Sequence, residues 1–76
     1  MNKIILSDGK ELDNYLSVAI AEGFCEGENY QNEEDIIKAY SFIGLNGLHR
    51  SLQGFFGRNL YALVENGYLN DKFEIV

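Results

Sequence analysis

The chain contains one cysteine, one histidine and no proline, and its acids outnumber its bases by 12 to 6. Each scarcity removes a class of protein. A lone Cys25 cannot close a disulfide within the chain, so covalent cross-links do not hold the fold. Cys25 and His49 are the soft metal ligands present, they fall in different segments, and a zinc site needs about four ligands of this kind. Apolar runs such as Ile4-Ile5-Leu6 and Val18-Ala19-Ile20-Ala21 are far short of the ~20 residues that span a bilayer. A net charge of -6 excludes a general coat for nucleic acid, which needs a positive surface. With 76 residues the chain is too short for a two-domain enzyme or a nucleotide-binding α/β domain. At 46% hydrophobic and 13% aromatic it is too apolar to be disordered along its length. The free thiol and the lack of a signal-peptide pattern give the cytoplasm as the expected compartment.

The charge that is present is unevenly placed. Residues 1–38 hold nine acids and three lysines, whereas residues 39–76 hold three acids and three bases. The stretch from Glu22 to Asp35 contains Glu22, Glu26, Glu28, Glu33, Glu34 and Asp35 and no base. No acid lies between Asp35 and Glu65, where Lys38, Arg50 and Arg58 fall. The acidic stretch reads either as a solvated loop with a helix start, or as a negative patch suited to a basic surface on another protein.

Hydrophobic spacing predicts a mainly α domain of three or four helices, with 1–31 as an N-terminal extension and helix and 32–69 as a motif-bearing core. Asp8 with Glu11 has capping-box spacing, and Leu12, Tyr15, Leu16, Ala19 and Ile20 recur at helical intervals, predicting a helix over 9–22 that Gly23 ends. Residues 24–31 read as a loop. Asn32 is a second N-cap, followed by three carboxylates that suit a helix N-terminus. Ile36, Ile37, Tyr40 and Ile43 give that helix its buried stripe, and Asn46-Gly47 stops it. A short helix over 48–53, a break at Gly54 and a last helix over 55–66 with Phe56, Leu60, Leu63 and Val64 inward complete the pattern. The ends, 3–6 and 68–76, could pair as a two-stranded ribbon. A chain of this size buries only about 60% of its unfolded surface, so completion of the core by a second copy is a further expectation.

No set of residues converges on catalysis. His49 and Ser51 are two apart and point different ways on a helix, and Asp8 to Asp13 lacks calcium-loop spacing. The chain therefore reads as a non-enzyme without a cofactor. The most distinctive segment is Leu52-Gln53-Gly54-Phe55-Phe56-Gly57-Arg58. Gly57 near a helix start would admit another backbone. Arg58 sits in a first turn, where the helix dipole disfavours a cation. It is expected either to clamp the fold, through helix-end carbonyls or Glu33, Glu34 or Asp35, or to bind a partner together with Gln53. An anion held by backbone N–H groups and Arg58 is also physically allowed.

Residues 33–69 resemble a group of very short, acidic, phage-encoded proteins of unknown function. The matching features are Glu33-Glu34-Asp35, Gly47-Leu48, the motif from Leu52 to Arg58, and Leu63 to Gly67. The chain departs from that pattern at His49, where tryptophan is often seen, and in its additional residues 1–30. The resemblance implies a viral origin and the host cytoplasm, and brings no activity with it. Together the acidic patch (Glu26, Glu28, Glu33, Glu34, Asp35) and the motif (Gln53, Gly54, Gly57, Arg58) suggest a module that binds a basic host protein by imitating nucleic acid. The alternatives are a self-assembling helical protein and a helix-turn-helix over 48–53 and 55–66 placing Arg50 and Arg58 on phosphate; the overall charge opposes the latter.

Overall fold

A computed structural model describes residues 3–51 and 54–76. Its order is helix α1 (Asn14–Glu22), a 3₁₀ helix (Cys25–Tyr30), α2 (Glu33–Leu45), a 3₁₀ turn (Leu48–Arg50) and α3 (Gly54–Glu65). The mainly helical class expected from the periodicity is observed.

The first helix starts later than the capping-box spacing predicts. The Asp8 carboxylate accepts from Lys10 N–H at 3.0 Å, and Gly9 takes φ 92°. Asp-Gly is a strong turn dipeptide, and here the turn prevails over the box. Leu6 N–H donates to Lys10 O, Gly9 N–H donates to Leu6 O, and Ile5 bridges Glu11. Asp13 is the actual cap, accepting from Leu16 N–H at 2.7 Å. Tyr15 accordingly lies outside the buried face, while Leu12 is buried ahead of the helix.

Gly23 ends α1 in the left-handed conformation, φ 73°, with its N–H on Ala19 O and Ile20 O. The segment 24–31, expected as a loop, is instead a full 3₁₀ helix. It is held by a close approach: a Cβ on Gly27 would collide with the Ala19 carbonyl. Gln31 Nε2 then joins the two elements by donating to Ile20 O (2.9 Å) and Gly27 O (2.8 Å).

Asn32 caps α2 as expected, accepting from Asp35 N–H at 2.9 Å. α2 is the centre of the molecule. Ala39 and Phe42 pack with Leu6, Leu12, Leu16, Ile20 and Tyr30, while Tyr40 and Ile43 pack with Phe56, Leu60 and Leu69. Both α1 and α3 lie against it. Gly47, φ 69°, follows its end. In the described part of the expected 48–53 helix, only a 3₁₀ turn forms.

The terminal ribbon is not observed. Among the described residues each end folds on itself, and the second bridge joins Leu69 to Ile75. Asn70 N–H donates to Glu74 O and Phe73 N–H to Asn70 O, the same bonding as at Leu6–Lys10. Phe73, φ 67°, occupies the place that Gly9 fills in the first turn. An L-residue there is strained by roughly 1 kcal/mol. Its ring packs on Gly44, where a Cβ would stand 2.6 Å from Phe73 Cγ, and its carbonyl accepts from the Ser41 hydroxyl at 2.7 Å.

Candidate functional site

The acids of the predicted patch divide into two groups. Glu26, Glu28, Glu33 and Glu34 are exposed, carried by the 3₁₀ helix and the first turn of α2. Asp35 is not part of that surface: it is 0% exposed. Its carboxylate receives Ser7 N–H (3.0 Å), the Ser7 hydroxyl (2.6 Å) and Asn32 Nδ2 (2.9 Å). Burial pushes its carboxyl up, but the hydrogen bonds from Ser7 and Asn32 outweigh this, and the group sits below the usual carboxylate range. Asp35 therefore fastens the N-terminal turn to α2. Lys38 reinforces the attachment, donating to Ile5 O at 2.8 Å while pairing with Glu34 at 2.8 Å.

The Lys38–Glu34 pair is the one ion pair among the described residues. Glu26 Oε1 accepts from the Tyr15 hydroxyl at 3.1 Å, a neutral donor that leaves its charge in place. The Tyr15 phenol is pushed up to about 12 by its hydrogen bonds with Cys25 and Glu26. Asp8, which sequence reasoning assigned to a cap, joins this region. It accepts from the Tyr30 hydroxyl at 2.7 Å, and that bond, with Lys10 N–H, holds its carboxyl below the usual range. The Tyr30 phenol is raised by the bond to Asp8 first, by burial, and by the charges of Asp8, Asp35 and Glu26. Carboxylates from the N-terminal turn, the 3₁₀ helix and α2 thus bear on one phenol. The Asp-Gly signal could have predicted the turn that carries Asp8; no local pattern could have brought Asp8 to Tyr30.

The described motif residues Gly54, Gly57 and Arg58 make no hydrogen bond or ion pair with these acids. Leu52 and Gln53 lie outside the described residues. Gly54 opens α3 and is exposed. Among the described residues nothing lies within 4 Å of where a Cβ on Gly57 would stand, so none of them makes the close approach expected there, and Gly27 and Gly44 have that role instead. Arg58 is exposed and pairs with no carboxylate among the described residues, so the expected clamp to Glu33, Glu34 or Asp35 does not form. Its guanidinium turns back over Gly54, with Nη1 3.1 Å from the Cβ position. His49, the motif's flanking residue, packs edge-on against Tyr61 and Phe73 at ring distances of 6.3 and 5.3 Å.

Among the clefts lined by described residues, two bear on the helix packing. The larger, about 650 Å³, runs between the N-terminal turn, the start of α1 and the end of α2, with Lys3, Glu11, Asp13 and Asn46 among its walls. The smaller, about 360 Å³, lies between α1, α2 and α3. Among the described residues no three His, Cys, Asp or Glu side chains gather as metal ligands, and no helix is long and apolar enough to cross a membrane. No protein-family model, curated protein or solved structure matches the chain.

Proposed function

We propose that this chain is a non-catalytic protein-binding module that presents the carboxylates of its 3₁₀ helix and α2 start to a basic surface of another protein. The carrying observation is that Glu26, Glu28 and Glu33 are exposed and have no basic partner among the described residues. Charges left unpaired on a folded surface keep their field available to an incoming partner. The matching partner displays arginine and lysine, as proteins that grip a phosphate backbone do. The resemblance to short phage proteins makes a bacterial host protein the partner class and the host cytoplasm the setting. Inhibition or redirection of that protein follows from occupying its basic surface. Asp35 has no part in recognition here; Asp8 extends the negative surface in its place.

The test is affinity capture from bacterial lysate with the immobilised chain, beside a variant carrying Glu26→Gln, Glu28→Gln, Glu33→Gln and Glu34→Gln. The expected result is a basic protein retained at low salt, released as salt rises, and lost from the variant. Equal retention by both forms would remove the electrostatic reading.

A second reading, self-assembly, draws on the exposed side chains of Ile5, Tyr15, Phe24, Tyr61 and Tyr68. Sedimentation over a wide concentration range separates the two, since a monomer throughout excludes assembly.

A further inference from the structure

The larger cleft offers an apolar base and a set of hydrogen-bond acceptors. Leu12 and Phe42, both buried, are its apolar lining residues. Glu11 and Asp13 line it from the exposed segment ahead of α1. Asp13 commits Oδ1 to the Leu16 N–H and keeps its second oxygen. Asn46, at the end of α2, donates its Nδ2 to Phe42 O at 2.9 Å, so the amide oxygen is the atom it has to offer. Tyr15 lines the same cleft with its ring 54% exposed. Its hydroxyl donates to Glu26 at 3.1 Å, which sets a third carboxylate at the outer end of the ring. Lys3 and the Asn14 amide are the side-chain donors of the lining. Lys3 forms no ion pair among the described residues, so it neutralises neither Glu11 nor Asp13.

Resting on the function proposed above, we infer that this cleft seats an arginine side chain of the basic partner protein. The methylenes of that arginine lie on Leu12 and Phe42, and its guanidinium stacks on Tyr15 and donates to Glu11, Asp13 and Asn46. The chemistry of the lining chooses the occupant. A guanidinium carries its donors in one plane and has no acceptor. It is the complement of two carboxylates and an amide oxygen beside an aromatic ring. An anionic ligand would meet two carboxylates with Lys3 as its one cation, and a second copy of this chain would bring its own -6 charge. A volume of about 650 Å³ falls within the range of sites that enclose a small group. Lys3 is then an internal competitor, because its ammonium shares the cleft with the incoming cation and repels it.

The experiment titrates the labelled full chain at low salt with three capped tripeptides, Gly-Arg-Gly, Gly-Lys-Gly and Gly-citrulline-Gly, following backbone amides by NMR. The arginine peptide is expected to shift the amides of residues 11–15 and 46 saturably. The lysine peptide is expected to bind about threefold more weakly, lacking the planar fork, and the neutral citrulline peptide to leave these amides in place. Lys3→Gln is expected to tighten the arginine peptide by about threefold, and Glu11→Gln to weaken it by about threefold. Glu11 is held by its backbone bridge to Ile5, so circular dichroism of the variant should not change. Equal shifts from the citrulline and arginine peptides, or arginine binding that neither substitution alters, would overturn the cleft. Shifts confined to residues 22–34, or none from the tripeptides while an oligolysine shifts that stretch, would overturn the cleft and leave the acidic surface in force. No shift from any of these probes would overturn both. A concentration-dependent dimer that Glu11→Gln dissolves would assign the cleft to an arginine of a second copy and overturn the inference as stated.

Discussion

Asp35 shows how one side chain changes meaning between sequence and structure. In the sequence it is the third of three successive acids. In the fold it is the one that is buried, held by Ser7 and Asn32. Weakening a buried, charged acceptor of several hydrogen bonds costs about 1–3 kcal/mol. Asp35→Asn is expected to lose stability in that range at neutral pH, read by urea denaturation. The pH dependence follows from its lowered carboxyl pKa. A carboxylate stabilised in the folded state contributes fully above its unfolded value, near about 4, and less as pH falls through the folded value. Asp8 contributes in the same window and direction. The native chain should therefore weaken in strongly acidic solution, and the variant's deficit should shrink there. A deficit that stays constant down to the acid limit would show that the carboxylate charge of Asp35 is not what stabilises the turn.

At the scale of the element, glycine positions separate packing from propensity. Gly57 lies inside α3 with open space where a Cβ would stand, and Gly44 lies inside α2 with Phe73 Cγ at 2.6 Å from that point. Gly57→Ala should stabilise the chain by about 0.5–1 kcal/mol, the usual helix preference for alanine. Gly44→Ala should destabilise it by about 1–3 kcal/mol, because the added methyl displaces a packed ring. Thermal melting of the two variants checks both signs. The helices were legible because their caps and stripes are local: Asn32 with its following acids, Gly23 and Gly47 in left-handed turns, and Ile36 to Ile43 at helical spacing. The first helix start was misread because Asp8 satisfies two local patterns, a capping box and an Asp-Gly turn, and only the contact with Tyr30 favours one. The C-terminal turn was illegible because its left-handed residue is phenylalanine, and that conformation depends on Gly44 and Ser41, about thirty positions away.

On the scale of the whole molecule, α2 divides the chain's tasks. Its first turn exposes Glu33 and Glu34 and buries Asp35, and its later turns hold both apolar clusters together. The uneven charge was visible in the sequence; that Asp35 would leave the surface and Asp8 would approach it was not, since both depend on Ser7 and Tyr30 arriving from other segments. The central claim is that unpaired carboxylates on one region form the recognition surface. Glu65, Asp71 and Glu74 are exposed too, so they serve as an internal control. The most direct measurement is an NMR titration of the labelled chain with an oligolysine of about ten residues at low salt, following every backbone amide. The account predicts that amides around Asp8 and residues 22–34 shift first, and that the shifts disappear as salt screens the field over about 10 Å. Equal shifts around Glu65, Asp71 and Glu74, at the same probe concentrations, would contradict it.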